Sequence, residues 1–363
     1  MRVVIIGAGV AGLTIGWRLR QAGVEVLILE RAQAGQGATW ASAGMIAATT
    51  EMAGAQRAEA DLGQCARAMW PDFARAIESA SGIPIGYRQT GALLIALAAE
   101  EAALYAERAA SDPELKTLTP DEARAMEPML GPMQSALWDA RESQVDNRAL
   151  GRALALAFVR AGGTLSTNEA VVRIVTSAGR AVSAHTPVAI HHADAFVLAA
   201  GAWSGLIDGL PPDAVPPVKP MKGEMLALAP PGTGMLPTRL IWGNGVYLVP
   251  RGGRLLVGAT LEDAGFDTSL TEAAEDWLSA RAVALMPPLR QWKIDDHWAG
   301  LRPGSPDGLP LLGRTTVAGL YVASGQYRNG ILFAPAVGEI LSRFVLERAD
   351  DFEAFDPRRF RAT

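Results

Sequence analysis

Residues 2–12 read RVVIIGAGVAG, and this stretch decides the fold. Its first part, residues 2–6, is a short apolar run of the kind found in buried parallel strands. A helical pattern with its apolar positions on one face follows, and Gly23 ends it as a C-terminal cap. Residues 24–29 form a second apolar run, which Glu30 closes. The stretch therefore predicts one complete βαβ unit.

The turn of this unit carries the spacing Gly7-x-Gly9-x-x-Gly12, and Glu30 follows 18 positions after the last glycine. In such a fingerprint the first glycine makes the tight turn, the second lets the backbone approach a pyrophosphate, and the third lets helix and strand pack closely. The helix N-terminus offers unpaired N–H groups to the phosphates. Glu30 can accept hydrogen bonds from a ribose diol. We therefore predict a dinucleotide cofactor here.

The rest of the chain favours FAD over NAD as that cofactor. The sequence holds one such fingerprint, so it offers no second nucleotide domain for NADPH. Further parallel-strand runs at 195–199 and 320–323, each followed by glycine, suit a ligand with contacts along its whole length. The loop 37–45 consists largely of small residues, which let backbone approach a flat ring system.

The strand and helix patterns predict an α/β protein of two interleaved domains. Helical patterns occur at 99–110, at 272–285 and after Gly330, whereas 86–98 and 216–262 are rich in strands and turns. We expect a Rossmann-like FAD-binding domain and a substrate-binding domain made of a mixed β-sheet plus helices. The expected ranges are 1–85, 145–215 and 296–363 for the first domain, and 86–144 and 216–295 for the second.

Composition excludes several classes of protein. The chain has 363 residues, of which 49% are hydrophobic and 20% charged, as in ordinary globular proteins. Its net charge of −5 argues against a nucleic-acid-binding protein. Glycines interrupt the apolar N-terminal stretch, which predicts no signal peptide, and the sequence has no apolar run long enough to span a membrane. We expect a cytoplasmic protein that can form a homo-oligomer.

The cysteine and the histidines predict no metal site. Cys65 is the single cysteine, so no internal disulfide can form, and its helical neighbours indicate a packing role. His191 and His192 are adjacent, so on a strand they point to opposite faces and cannot clamp a metal together. His297 is expected on the surface of a strand, with a position near the site as the alternative because it is close to Arg302 in sequence.

Further motifs follow in order along the chain: 41–45 (ASAGM), 197–204 (VLAAGAWS), 222–224 (KGE), 247–251 (YLVPR), 257–260 (VGAT), 300–303 (GLRP) and 328–332 (RNGIL). Together with the N-terminal fingerprint, they resemble the glycine oxidase branch of the D-amino-acid oxidase flavoprotein family along almost the whole chain. The resemblance implies that Arg302 pairs bidentately with a substrate carboxylate, that the Tyr247 hydroxyl adds a hydrogen bond, and that Arg328 is a second active-site arginine. A guanidinium fork fits a carboxylate as lysine cannot.

The resemblance and the fingerprint together imply a set of FAD contacts. The cofactor is expected to be non-covalent, because Cys65 lies far from the C-terminal region where related sarcosine oxidases attach flavin. Leu261 and Thr50 match positions near the substrate pocket. The expected FAD-contacting residues are Gly7, Gly9, Val10, Ala11, Gly12, Glu30, Arg31, Thr39, Ala43, Gly44, Met45, Val171, Ala200, Gly201, Trp203, Arg302, Arg328, Asn329, Gly330, Ile331 and Leu332.

The implied reaction is oxidative deamination of a small amino acid. A hydride passes from Cα to flavin N5, the imine hydrolyses to a keto acid and ammonia, and O₂ is reduced to H₂O₂. The backbone N–H groups of residues 330–332 are expected to stabilise negative charge on the flavin. Orientation of the substrate by Arg302 and Tyr247 supplies most of the catalysis in this reading, and the sequence identifies no general base.

Two departures from the family pattern leave the substrate open. Gln326 stands where glycine oxidases commonly have histidine, and glutamine does not titrate near neutral pH. Gly245 and Val246 make the approach to Tyr247 less polar than expected for a glycine pocket. Glycine, sarcosine, a D-amino acid and a cyclic imino acid all remain candidate substrates.

Three alternative functions remain beside the oxidase. A dehydrogenase of the same fold would pass electrons to a quinone or carrier. An FAD subunit of a larger assembly, such as a hydrogen cyanide synthase, is a second alternative, although Arg302 and Tyr247 argue against an inert subunit. An NAD dehydrogenase is the most distant.

Overall fold

The computed structural model describes residues 1–52, 54–232, 234–348 and 353–360. In these ranges the α-helices are α1 (Val10–Gln21), α2 (Ala38–Ala41), α3 (Arg57–Ser81), α4 (Ala99–Ser111), α5 (Pro120–Met126), α6 (Asn147–Arg160), α7 (Glu272–Leu285) and α8 (Gly330–Val345). Short 3₁₀ helices span Gly201–Leu206, Pro212–Ala214, Pro287–Gln291, Glu353–Phe355 and Pro357–Phe360.

The strands in the described ranges are β1 (Arg2–Ile6), β2 (Glu25–Leu29), β3 (Met45–Ile46), β4 (Ala92–Ala96), β5 (Leu115–Leu118), β6 (Ser135–Asp139), β7 (Ser143–Gln144), β8 (Thr164–Ser166), β9 (Arg173–Ser177), β10 (Arg180–His185), β11 (Ile190–His192), β12 (Ala195–Leu198), β13 (Lys219–Ala229), β14 (Leu240–Gly243), β15 (Val246–Arg251), β16 (Arg254–Gly258), β17 (Lys293–Gly304), β18 (Leu311–Arg314) and β19 (Leu320–Ser324).

The first sheet has six strands in the order β18-β19-β12-β1-β2-β8. All neighbours pair in parallel except β18, which runs antiparallel to β19. The chain moves from β1 toward β2 on one side, whereas β12 and β19 lie on the other side of β1. The carboxyl ends of β1 and β12 therefore form a topological switch point, where open α/β sheets bind their ligands.

Helices α1, α3, α6 and α8 pack together beside this sheet. Their shared core holds fully buried aromatic side chains, including Trp70, Phe158 and Phe344. The α1–α8 contact is so close that a Cβ on Gly338 would lie 2.5 Å from the Thr14 Cγ2 atom. This packing fixes the N-termini of α1 and α8 relative to the sheet edge.

The second large sheet has eight strands in the order β17-β13-β16-β15-β14-β4-β6-β5. Strands β13 and β17 form a long antiparallel ribbon, from Lys219 opposite Gly304 to Ala229 opposite Lys293. The sequence places a domain boundary at residue 296, but β17 continues to Gly304, because its hydrogen bonds follow β13 along the whole strand. We propose the two-domain partition with that boundary moved to the end of β17.

The helices expected at 99–110, at 272–285 and after Gly330 occur in the structure as α4, α7 and α8. The surroundings of Cys65 and of the histidines differ from the expectations in some details. The sequence predicts a packing role for Cys65, which is wrong: its side chain is exposed on α3. The His191 ring lies 2.6 Å from a Glu169 carboxylate oxygen. The sequence predicts His297 on a strand surface, which is wrong: its side chain is largely buried and contacts Glu224 at 2.8 Å. No helix in the described ranges is long and apolar enough to cross a membrane. Within the same ranges no group of three or more His, Cys, Asp or Glu side chains is arranged to hold a metal ion.

A candidate cofactor and substrate site

One elongated cavity of about 590 Å³ connects the switch point of the first sheet with the β13–β17 ribbon of the second. Glu30 and Val171 line one end, and Tyr247 and Arg302 line the other. Of the residues that the sequence places at FAD or substrate, Gly12 and Thr50 do not line it. Those that do are Gly7, Gly9, Val10, Ala11, Glu30, Arg31, Thr39, Ala43, Gly44, Met45, Val171, Ala200, Gly201, Trp203, Tyr247, Leu261, Arg302, Arg328, Asn329, Gly330, Ile331 and Leu332.

The three fingerprint glycines have different surroundings. Gly7 has φ of +107°, and a Cβ there would lie 2.5 Å from the Ala199 carbonyl oxygen. A Cβ on Gly12 would lie 2.0 Å from the Gly7 carbonyl oxygen, so Gly12 lets α1 pack against the turn and stays behind the cavity wall. At Gly9 the nearest atom to such a Cβ is the Thr39 hydroxyl at 3.6 Å. Gly9 is therefore the glycine that leaves open space for a ligand.

The acidic end of the cavity is preorganised. The Glu30 carboxylate accepts hydrogen bonds from the Ala8 N–H at 2.7 Å and the Ala32 N–H at 3.0 Å. A carboxylate offers about four lone-pair positions, so acceptor capacity remains for a ligand diol. Beside it, the Arg31 guanidinium lies 3.5 Å from the centre of the Trp203 ring.

The small-residue loop after β2 is held by α6, by β17 of the second sheet and by the start of α1. The Asn147 side-chain amide donates to the Thr39 and Trp40 carbonyls, each at 2.8 Å. From β17, the Trp298 indole N–H donates to the Ala41 carbonyl at 2.9 Å. The Thr39 hydroxyl in turn accepts from the Val10 N–H at 2.9 Å, at the start of α1. These bonds fix the loop backbone against the cavity.

The N-terminus of α8 faces the same space. Gly330, Ile331 and Leu332 line the cavity, and the Asn329 side chain does not cap the helix. First-turn N–H groups have no acceptor within a helix, and the helix dipole adds a partial positive charge. The buried Asn329 Oδ1 atom has no hydrogen-bond partner in the part of the chain that the structure describes. This arrangement suits an electron-rich ring that brings its own donors and acceptors.

Arg302 lies at the other end, on β17. Its Nη1 donates to the Thr260 carbonyl at 3.2 Å and to the Lys222 carbonyl at 3.3 Å. The guanidinium rests against the backbone of Gly223, where a Cβ would lie 2.2 Å from Nη1. A guanidinium has five N–H donors, so this anchoring leaves donors for a ligand in the cavity.

Tyr247 on β15 is a neutral donor beside Arg302. Burial raises the pKa of its hydroxyl to about 12, so the proton stays in place near neutral pH. The hydroxyl contacts the Met225 sulfur at 3.6 Å, and a thioether is a weak acceptor that a ligand oxygen can replace. The Trp242 ring packs 5.1 Å from the Tyr247 ring, and within the described ranges its buried indole N–H has no hydrogen-bond partner.

Arg328 and Gln326 complete this end. The Arg328 guanidinium lies 5.2 Å from the Tyr327 ring centre and lines the cavity. Gln326 also lines the cavity, and its buried Nε2 has no hydrogen-bond partner among the described residues. Because buried polar groups are normally hydrogen-bonded, unpaired donors gathered in one cavity mark a place where a ligand supplies the acceptors.

The sequence does not identify Glu51, which also lines this cavity. Burial raises the pKa of its carboxyl to about 7, a shift that Arg328 and Arg302 partly oppose and that Glu59 increases. Glu51 follows β3 in a turn without a recognisable motif, so the sequence carries no signal for it. Its neighbour Thr50 does not line the cavity, because the Thr50 N–H faces away and donates to Glu142 at 3.1 Å.

Glu142 supports that turn from a fully buried position. Its Oε1 accepts the Thr49 and Thr50 N–H groups at 2.8 and 3.1 Å, and no described residue hydrogen-bonds to its Oε2. Burial, with a smaller contribution from Asp139, raises the pKa of this carboxyl to about 7. The turn that presents Glu51 is therefore fixed by an internal acid.

A buried charge network supports Arg302 from behind. The Lys222 ammonium lies 2.8 Å from a Glu224 carboxylate oxygen and 3.2 Å from a Glu262 oxygen. The same Glu224 carboxylate contacts His297 and accepts from the Thr271 hydroxyl at 3.1 Å. The network joins β13 to the segment after β16, which are the two segments whose carbonyls hold Arg302.

The cavity fits FAD by the chemistry of its residues. It offers Glu30 for a ribose diol, the open Gly9 beside the N-terminus of α1 for a pyrophosphate, and the fixed loop 38–45 with α8 for a flat ring. The substrate end offers guanidinium and hydroxyl donors suited to a carboxylate.

Comparison with known proteins agrees with this arrangement. Residues 2–344 match the FAD dependent oxidoreductase family, DAO. The glycine oxidase of Pseudomonas aeruginosa is 33% identical over 356 residues, which cover 94% of this chain and 93% of that protein. The crystal structure of glycine oxidase from Geobacillus kaustophilus superimposes with a TM-score of 0.91 at 33% identity, covering 99% of this chain and 100% of that one.

A longer relative shares the same region. The bifunctional protein ThiO/ThiG of Trichormus variabilis is 33% identical over 354 residues, which cover 96% of this chain and 53% of that protein. This chain thus spans about half the length of that relative. The matches extend over nearly all of this chain, and it belongs to the DAO family of FAD-dependent oxidoreductases.

Proposed function

We propose that this protein oxidises a small amino acid (glycine, sarcosine or a small D-amino acid) with O₂ as the electron acceptor. The products are an imine, which hydrolyses to a keto acid and ammonia, and H₂O₂. One observation carries the proposal: Arg302, Tyr247 and Arg328 line the same cavity as Gly9 and the N-terminus of α8. A carboxylate-binding end and a cofactor end therefore share one space.

Arg302 would bind the substrate carboxylate through its free guanidinium donors, and the Tyr247 hydroxyl would donate a further hydrogen bond. Two fixed contacts on one carboxylate restrict the position of the adjacent Cα, and orientation of this kind lowers the barrier. Both side chains are held by strands of the second sheet, so the geometry exists before the substrate binds.

FAD, when bound, supplies the acceptor for the Cα–H hydride. Glu30 would hold the ribose, and the α1 N-terminus would hold the pyrophosphate. The N-terminal N–H groups of α8 would stabilise negative charge at the ring end of the cavity. Bound contacts of this kind need no covalent link, and Cys65 does not line the cavity.

The lining near Tyr247 supports a small substrate without fixing which one. Gly245 lines the cavity and offers no side chain, while Trp242 provides an apolar wall. Gln326 is a neutral donor that cannot change charge with pH. The names of the glycine oxidase relatives favour glycine, and the missing side chain at Gly245 leaves room for an N-methyl group or a small Cα substituent.

Anaerobic reduction tests the proposal. The purified yellow protein is mixed anaerobically with glycine, with sarcosine and with the D and L forms of alanine and proline. The absorbance of the flavin band at about 450 nm is followed in each mixture. We expect one or more of these compounds to bleach the band, and admission of air to restore it with formation of H₂O₂. A band that none of them bleaches would overturn the amino-acid assignment. Reoxidation only after addition of a quinone would overturn O₂ as the acceptor.

A further inference from the structure

We propose that Glu51 is a catalytic base that takes a proton from the ammonium group of the bound amino acid. The inference rests on the proposed function and adds to it a group that the sequence does not reveal. It starts from the position of Glu51 in the cavity and from the chemistry of an amino acid near neutral pH.

Glu51 is the acidic side chain at the substrate end of the cavity lining. The other lining acids lie toward the opposite end: Glu30 accepts from backbone N–H groups there, and the Asp208 N–H donates to the carbonyl of Val172, which lines the cavity next to Val171. In the described part of the chain, no hydrogen bond or ion pair reaches the Glu51 carboxylate. An unpaired carboxylate inside a cavity requires a cationic or donor partner, and here a ligand can supply one.

The turn that carries Glu51 is held in place. The Glu51 N–H donates to the Ala47 carbonyl at 2.9 Å, and Glu142 accepts the N–H groups of the two residues before Glu51. From α4, Arg108 donates to the Thr49 carbonyl at 3.0 Å. Glu51 therefore faces the cavity as part of a fixed structure, as an acid-base group must.

The charges around Glu51 match the two ends of an amino acid. Arg328 and Arg302 lower its pKa, Glu59 on α3 raises it, and Tyr247 interacts with it electrostatically. With the substrate carboxylate on Arg302 and Tyr247, the remaining charged group of the substrate is the ammonium. A carboxylate in the same cavity is its complement.

The amine needs to be neutral before Cα can release a hydride, because the nitrogen lone pair assists that step. In the proposed transfer the N–H bond of the ammonium breaks, an O–H bond forms on Glu51, and the electron pair of the N–H bond stays on nitrogen as its lone pair. No electron leaves the substrate in this step, and Glu51 returns the proton to solvent after turnover. Burial raises the pKa of Glu51 to about 7, which brings it closer than an ordinary carboxyl to the pKa of an alkylammonium, about 10.4.

The test compares holoenzyme variants by anaerobic stopped-flow flavin reduction with glycine, or with the substrate that the panel identifies, between pH 6 and pH 10. At pH 7 we expect Glu51→Gln to reduce the rate by about 10²-fold or more, the usual contribution of a positioned base. The deficit should shrink toward pH 10, where the substrate amine loses its proton in solution. Glu51→Asp keeps a carboxylate and should retain an intermediate rate.

Two controls separate chemistry from structure. Acetate has the carboxylate without the ammonium, so its dissociation constant, read from the flavin spectrum, should not weaken in Glu51→Gln. Glu59→Gln removes a nearby carboxylate that does not line the cavity, so it should show no deficit that high pH rescues. If the wild type is not reduced by any amino acid, the proposed function itself fails. If the wild type is reduced, a Glu51→Gln rate equal to that of the wild type, or a deficit that stays constant with pH, overturns the role of Glu51 alone.

Discussion

Gly223 offers a way to move Arg302 without removing any functional group. The residue lies in β13, and the Arg302 guanidinium rests on it. A Cβ at this position would lie 2.2 Å from Nη1, 2.4 Å from Nη2 and 2.5 Å from Cζ. Ordinary contacts between such atoms begin at about 3.5 Å, so Gly223→Ala must push the guanidinium by more than about 1 Å.

The size of the effect follows from that displacement. A misplacement of about 1 Å in a positioning group can cost about 10²-fold in rate. We therefore expect kcat/KM for the amino acid to fall about 10²-fold, equal to about 2.7 kcal/mol in the barrier. The loss of folding stability should be small, because the displaced atoms are the far end of a flexible side chain and an extended strand accepts alanine readily.

The assay measures kcat/KM, the dissociation constant of acetate, the FAD content and the melting temperature on the same preparation. Gly304→Ala is the matched control on the partner strand, where a Cβ would lie 3.1 Å from the Met221 Cγ atom and needs a shift of only tenths of an ångström. We expect weak acetate binding in Gly223→Ala alone, with normal FAD content in both variants. A kcat/KM within about threefold of the wild type in folded, FAD-loaded Gly223→Ala would refute the placement of the carboxylate on Arg302.

Three further predictions concern the substrate end, the cofactor end and the pH dependence of stability. Arg302→Lys keeps the charge but loses the planar fork, so KM for the amino acid should rise about 10²-fold in steady-state assays, and an unchanged KM would argue against bidentate binding. The methyl group of Gly9→Ala would clash with no protein atom but would point into the cavity. FAD titration should therefore show weaker binding, while the melting temperature of the apoprotein stays nearly unchanged. An FAD affinity equal to that of the wild type would contradict this. Burial raises the pKa of Glu142 to about 7 in the folded state, against an ordinary value of 4.5. Between these two pH values the folded protein retains a proton that the unfolded chain loses. The free energy of unfolding should therefore fall, by at most about 3 kcal/mol, as the pH rises from about 4.5 to about 7. Glu142→Gln keeps the acceptor for both backbone N–H groups but removes the titrating carboxyl. The difference in the free energy of unfolding between pH 5 and pH 8, measured by urea denaturation, should therefore shrink in this variant and stay unchanged in the exposed control Glu100→Gln. An identical difference in Glu142→Gln and wild type would show that Glu142 does not hold that proton.

The residues that the sequence assigns to the cofactor end line one cavity, Gly12 excepted, because their signals are local. The fingerprint glycines, the apolar strand and Glu30 lie within one βαβ unit, so spacing along the chain determines their spacing in the fold. Gly12 is the instructive exception in this set. It belongs to the fingerprint, but its role is the contact with the Gly7 carbonyl, and it stays out of the cavity.

The sequence predicts the substrate end less completely, because that end is assembled from distant segments. Glu51 comes from a turn after β3, Trp242 from β14 and Arg302 from β17, and no periodicity links them. The same long-range pairing explains the wrong expectation for His297, whose side chain is largely buried because β17 pairs with β13 beside Glu224. It also places residue 296 inside β17, which is why we propose the domain boundary at the end of that strand.

Strand β17 contacts both the cofactor end and the substrate end of the site. Trp298, Gly300 and Arg302 occupy alternate positions, and alternate residues share one face of a strand. The Trp298 indole N–H donates to the Ala41 carbonyl, and a Cβ on Gly300 would lie 2.4 Å from the Ala41 Cβ. Both positions therefore hold the small-residue loop 38–45 in place. Arg302, two residues further, reaches the substrate end. A shift of one residue in β-strand register would move all three side chains to the other face of the sheet. The register of the β13–β17 pairing therefore fixes the small-residue loop 38–45 and Arg302 together.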